Sequence, residues 1–298
     1  AGTYPHCCGH VYGFNHAENK FLGNLIQKNN NETWFPFYLL PADYDIYDLK
    51  DQMPVEECAN LLIMQYACFS RDGDISFFAE NFDLAEKWVE YLIKYGLKPE
   101  EQLCTDDFAG HLKNNLNLAI KATVGIACYA ELAGAAGKVN LAEQYRKKAE
   151  AFAEEITAFA KNFPHMPISW DSDESTFSLK YNFAFDKLLG LNLFPQEVFE
   201  KEIDCYLKKI NKFGTPLDNR ETYTKSDWLC WVASLTDDRE KREKLLASIA
   251  KFLKESPDRV PFSDWYQTDA GSYIHFRARS VQGGCFILLL KSDEYVER

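Results

Sequence analysis

The chain has 298 residues, 46% of them hydrophobic and 15% aromatic, enough to bury a large core in one large domain or two small ones. A formal net charge of −12 repels phosphate backbones and anionic lipid, and no basic run overturns it, which excludes nucleic acid as a partner. No apolar run approaching about 18 residues stands out, so no membrane span is expected.

Residues 1–50 are rich in Gly, Asn, Tyr and Pro and read as an irregular, loop-rich segment. His6, His10 and His16 gather there with Cys7 and Cys8, but the spacing HCCGH fits no regular zinc pattern. The run GTYPHCCGHVYG therefore reads as a loop over the mouth of the fold, and no metal is expected. The chain opens at Ala1 without an initiator Met or a signal peptide, as part of a longer or processed polypeptide would. The nine cysteines form no metal-like pattern, and Cys58, Cys68, Cys128, Cys230 and Cys285 read as small core hydrophobes. That usage fits a reducing, cytoplasmic compartment better than an oxidising one, and localisation stays open.

From Pro54 the pattern turns helical. Residues 54–70 place Val55, Cys58, Ala59, Leu62, Tyr66 and Phe69 at helical spacing, with Pro54 at a favoured first position. Residues 84–95 follow, ended by Gly96. Residues 114–136 are almost wholly apolar, and 140–163 are amphipathic and charged. The alternation continues with an apolar 179–191, a charged 196–212, an apolar 225–235, a charged 239–255 and an apolar 280–290.

The segment LCTDDFAGHLKNNLNLAIK, residues 103–121, departs from simple core chemistry. Asp106, Asp107 and His111 crowd a glycine-containing turn, and Asn114, Asn117 and Lys121 follow at spacings of three and four, on one face of the expected helix. An Asp here can cap the helix. A polar stripe on an otherwise apolar helix also needs polar company, because burying unpaired amides and charges is costly. A buried network or a substrate cavity would supply it.

A buried helix followed by a solvated one, repeated, cannot bury its apolar faces alone. Closing such pairs into a ring gives an all-α fold, an α/α toroid; an open solenoid shows a similar alternation. The junctions favour the ring. TDDFAGH, WDSDES, LDNRETYTKSDW and FSDWYQTDAG recur at equivalent points of the repeat, and a ring gathers such loops into one funnel at one end.

The segments DQMPVEECANLLI, LCTDDFAGHLKNNLNLAIKATVGI, DNRETYTKSDWLCW, PFSDWYQTD and FRARSVQGGCF resemble the glutaminase A family, over most of the chain. The resemblance implies a six-helical-hairpin, glycosidase-like barrel and glutaminase-type hydrolysis. About five helix pairs are countable, so the first hairpin is expected upstream. The resemblance also implies an N-terminal β-rich region on the same polypeptide, absent from this chain.

Hydrolysis of a carboxamide needs an activated nucleophile, an oxyanion stabiliser and a proton donor for ammonia. No nucleophile elbow or Ser-x-x-Lys motif is present. Thr105 and Ser226 are hydroxyls beside acids, and a carboxylate-activated water is the more economical choice. The candidate carboxylates are Asp106, Asp107, Glu56, Asp227 and Asp264. An inverting glycoside hydrolase would need the same kind of pair, about 6.5–9.5 Å apart. Neither chemistry requires a metal or cofactor. His111, Asn114, Lys121, Trp228, Trp265, Tyr266 and Arg277 are the candidate substrate-binding residues. Arg277 and Arg279 alternate in a strand-like FRAR, where an Arg can clamp a carboxylate. Three readings stand: a glutaminase-type amidohydrolase, a glycoside hydrolase on the same toroid, and a non-catalytic domain of a larger enzyme.

Overall fold

The computed structural model describes residues 53–291 and the backbone of a two-residue antiparallel pair, Phe14–Asn15 (β1) with Trp34–Phe35 (β2). The HCCGH segment, with His6, Cys7, Cys8, His10 and His16, lies outside the described residues.

Helix α1 spans Pro54–Asp72. Pro54 suits a first turn, where its missing N–H would have no helical partner anyway, and Glu56 and Glu57 complement the positive end of the helix dipole. Gly73 ends the helix in the left-handed region at φ 74°, its N–H donating to the Phe69 carbonyl. A one-turn helix α2 (Ser76–Glu80) leads to α3 (Phe82–Tyr95). Helix α4 (Leu116–Ala135) follows, then α5 (Val139–Ala160), α6 (Phe183–Leu189), α7 (Gln196–Lys208), α8 (Ser226–Ala233) and α9 (Arg239–Glu255). Burial divides them as the alternation predicts. Helices α1, α4, α6 and α8 form an inner layer, α1 packing on α4, α4 on α6 and α6 on α8. Helices α3, α5, α7 and α9 carry the charged outer faces.

Inner helices approach closely. At Gly125 of α4 a Cβ would come within 3.0 Å of the Ala59 backbone on α1, so a larger residue there has to part the two helices. Helix α4 is, by length and composition alone, apolar enough to cross a membrane, contrary to the expectation that no such run is present. It is 83% buried in protein, and that burial accounts for its apolarity.

Four expectations need correction. Asn114 is not on helix α4. It precedes the helix at φ 54° and donates to Asp171 Oδ2 at 2.6 Å. The cap of α4 is Asn115, whose Oδ1 accepts from the N–H groups of Asn117 and Leu118, and neither Asp106 nor Asp107 serves it. Residues 280–290 do not form a buried helix. Ser280–Lys291 is a 3₁₀ helix that packs on α8 and leaves Val281, Phe286, Leu289 and Leu290 exposed. Its paired Gly283 and Gly284 disfavour a regular α-helix. The strand-like FRAR is no strand, since His275 and Ala278 both have φ 50°.

A three-residue ribbon joins two of the junctions. Tyr223–Lys225 (β3) pairs antiparallel with Trp265–Gln267 (β4) in the register Tyr223↔Gln267, Thr224↔Tyr266 and Lys225↔Trp265. Side chains alternate across a ribbon. Thr224 and Tyr266 enter the core, whereas Lys225 and Trp265 turn to the opposite face, toward the entrances of the inner helices.

Candidate active site

The first turns of the inner helices and the junctions before them supply the site. Glu56 lies in the first turn of α1 and is 1% exposed. Its Oε1 accepts from Lys121 Nζ, from α4, and from the Thr105 hydroxyl, and its Oε2 has no hydrogen-bond partner among the described residues. This ion pair lies wholly inside the protein, where loss of one partner would strand a charge. The polar stripe on α4 is thereby accounted for. Lys121 serves Glu56, and Asn117 receives the backbone N–H and side-chain amide of Asn182 at the start of α6.

Asp106 is buried just before a 3₁₀ turn, Asp107–Ala109. Tyr181 donates its hydroxyl to Oδ2 at 2.8 Å, and Trp228 donates its indole N–H to Oδ1 at 2.9 Å. Burial pushes the Asp106 carboxyl up to about 7. The Tyr181 and Trp228 hydrogen bonds and the Lys225 charge pull it down part of the way, and the Glu56 charge raises it. A carboxyl titrating near neutrality can both hold and release a proton at working pH.

Lys225 joins the other acids. Its Nζ lies 2.7 Å from Asp264 Oδ2 and 3.6 Å from Asp227 Oδ1, all three side chains being buried. It sits among the rings of Trp228, Phe276 and Phe108 at 5.4, 5.9 and 6.0 Å. Arg279 clamps Asp264 through both oxygens, at 3.3 and 2.7 Å. Burial acts to raise the Asp264 carboxyl, but Arg279 and Lys225 together outweigh it and hold the group below the ordinary carboxylate range. Asp227 has no such clamp among the described residues, where its Oδ1 makes no hydrogen bond. Burial raises it to about 6 against the pull of Lys225. Two neighbouring acids are thus set apart by their surroundings.

Aromatic rings wall the cluster. Phe108 lies 4.4 Å from Trp265, with Tyr223 and Phe276 against both rings, and the buried Trp265 indole N–H has no acceptor among the described residues. Arg220 ties the wall together. It chelates Asp218 at 3.1 and 2.7 Å and donates to the Ala109 carbonyl at 2.9 Å, holding the 103–111 junction to the 218–228 junction.

The structure therefore brings together Glu56, Lys121, Asp106, Asp227, Trp228, Asp264 and Trp265, and it leaves others out. Asp107 is exposed on the 3₁₀ turn. His111 is half-buried beside that turn. Tyr266 is fully buried, stacks on Phe252 at 3.6 Å and donates to the Phe213 carbonyl at 3.0 Å, because ribbon alternation points it inward. Arg277 is exposed over the Tyr273 ring at 5.7 Å, and Arg279 takes the clamping place. Tyr181 was missed. It lies two residues before α6, in an apolar run where no sequence signal sets it apart.

A helical-hairpin domain with a buried, cation-bridged group of carboxylates at the entrances of its inner helices is the class of protein this architecture defines. The model of the glutaminase A six helical-hairpin domain matches residues 1–289, and the chain belongs to that family. It is similar to "Glutaminase A" of Aspergillus oryzae, 35% identical over 247 residues that cover 80% of this chain and 36% of that protein. It is also similar to a "Probable glutaminase" of Arthroderma benhamiae, 32% identical over 247 residues, covering 70% of this chain and 28% of that protein. The chain thus spans about a third of the length of these relatives.

Proposed function

We propose that the domain carries the hydrolytic site of a glutaminase A-type enzyme, closed as an α/α toroid and working within a longer polypeptide that includes an N-terminal β-rich region. The similarity to two proteins named as glutaminases supports the reaction class, and the buried acid pair supports the chemistry. The substrate is a small polar molecule carrying a carboxamide, with glutamine the first to test.

The observation that carries the mechanism is the contrast between Asp106 and Glu56. Asp106, raised to about 7, holds a proton near neutrality and is the acid that delivers it to the departing ammonia. Glu56 pairs with Lys121 through Oε1, and its Oε2, without a hydrogen-bond partner among the described residues, is the oxygen suited to draw a proton from an attacking water. The charge of Glu56 reaches Asp106 and helps to keep it protonated. Asp264, neutralised by Arg279 and Lys225, is an anchor that fixes Lys225, and Lys225 faces the charge that develops on the carboxamide oxygen. The proposed mechanism uses no metal.

The test is ammonia release from glutamine by the full-length enzyme. Asp106→Asn keeps the shape and removes the proton, so turnover should fall about 10²–10⁴-fold with folding intact, and a chelator should change nothing. Activity that survives Asp106→Asn, or that disappears with chelator, overturns the mechanism. The aromatic wall of Phe108, Tyr223, Trp265 and Phe276, with its unpartnered indole N–H, also suits a sugar face, and it favours glycoside hydrolysis as a second reading. Reducing sugar released from a glycoside panel, with no ammonia from glutamine, would select that reading.

A further inference from the structure

The 3₁₀ helix lies flat on α8, and two observations fix how. A Cβ added at Gly284 would come within 2.7 Å of Trp231 Nε1 and 3.0 Å of Asp227 Cβ, so the backbone there rests directly on that face of α8. The next residue, Cys285, places its Sγ 3.8 Å from Ser226 Oγ. Ser226 and Cys230 are four apart on α8 and share a face. Cys285 therefore sits over the strip that carries Cys230. The two sulfurs interact, both are reduced, Cys230 is buried, and Cys285 is half-buried.

We propose that Cys230 and Cys285 are an oxidation site, a dithiol that closes to a disulfide when a peroxide reaches Cys285. The contact with Cys230, and then with Ser226, holds the Cys285 thiol below its ordinary range against the effect of burial, whereas the same contact, and then burial, pushes the Cys230 thiol up. The roles follow, because the thiolate is the nucleophile. Cys285 attacks the peroxide, its sulfur takes one oxygen to become a sulfenic acid, the O–O bond breaks, and the other oxygen leaves as water or alcohol with the thiol proton. The Cys230 sulfur then attacks the Cys285 sulfur. The S–O bond breaks and the hydroxyl leaves as water with the Cys230 proton. The thiols together lose one electron pair to the peroxide and two hydrogens to the products. The bond ties the 3₁₀ helix to α8 one residue from the contact with Asp227, so the redox state of this pair is written beside the acid cluster. The proposal does not depend on which reaction the cluster performs.

The experiment is peptide mapping of the chain. Reduced protein is freed of reductant, exposed to hydrogen peroxide, alkylated, digested without reduction and read by mass spectrometry. The expected product is a linked pair of peptides carrying Cys230 and Cys285, lighter by two hydrogens than their sum and lost on treatment with dithiothreitol. In Cys230→Ser the link cannot form, and dimedone labelling of Cys285 sulfenic acid should rise above that of the unaltered chain. If that variant does not fold, the mapping of the unaltered chain decides alone. Oxidation of Cys285 to sulfinic acid in the unaltered chain without the link, or a Cys285 that remains fully alkylatable, overturns the proposal.

Discussion

Tyr181 stacks on Trp228 with ring centroids 4.2 Å apart and planes within 9°, and each ring directs its polar hydrogen to a different oxygen of Asp106. The pair holds one carboxyl at both ends. The residues are 75 and 122 positions from Asp106 in the chain, so only the fold makes this a clamp.

Tyr181→Phe keeps the stack and removes one hydrogen bond to the charged form of Asp106. With burial still opposing ionisation, the carboxyl should rise from about 7. A hydrogen bond to a charged group contributes about 1.5–3 kcal/mol, so the rise should be at least about one pH unit. The alkaline limb of kcat/KM against pH for the full-length enzyme should move up by that amount. A limb that stays in place shows that Asp106 is not the acid.

Asp106 and Asp227 are both raised in the folded state, to about 7 and about 6, above the ordinary Asp value of 3.8. The folded protein then binds more protons than the unfolded chain between those values. Their contribution to stability is fully present below about pH 3.8 and is lost as pH rises through 6 and 7. For Asp106 the interval corresponds to on the order of 4 kcal/mol. Melting temperatures of Asp106→Asn and of the unaltered chain should therefore diverge in favour of the variant as pH rises from about 4 to about 7. Parallel curves would count against a buried, raised Asp106.

Lys121→Met leaves the Glu56 carboxylate buried without its cation, held only by the Thr105 hydroxyl. Denaturant unfolding should show a loss of about 3–5 kcal/mol. Adding Glu56→Gln to Lys121→Met removes the stranded charge and should restore part of that loss, the non-additivity expected of residues in contact. A strictly additive cycle would mean that the two side chains do not meet.

Trp265 and Tyr266 are adjacent but belong to opposite faces of the ribbon. Tyr266→Phe removes the hydrogen bond to the Phe213 carbonyl and should cost about 1–3 kcal/mol of stability with turnover unchanged. Trp265→Phe should raise KM or lower kcat with a smaller loss of stability. The reverse pattern, read by thermal melting and steady-state kinetics together, would place the ligand on the Tyr266 side.

The sequence by itself determined the alternation of buried and solvated helices, because period and polarity are local properties, and the junctions that carry the acids, because acids beside aromatics stand out between apolar runs. It also contained the motifs by which the family is recognised. It did not separate Asp106 from Asp107, Trp265 from Tyr266 or Arg279 from Arg277. Each pair is one or two residues apart and nearly alike in composition, and the side chains part only when a turn or ribbon sets their directions. The partners that then decide their chemistry, Tyr181 and Trp228 for Asp106, Lys121 for Glu56, and Lys225 and Arg279 for Asp264, arrive from other elements. Burial and charge at a carboxyl are sums over neighbours in space, and only the tertiary structure chooses those neighbours.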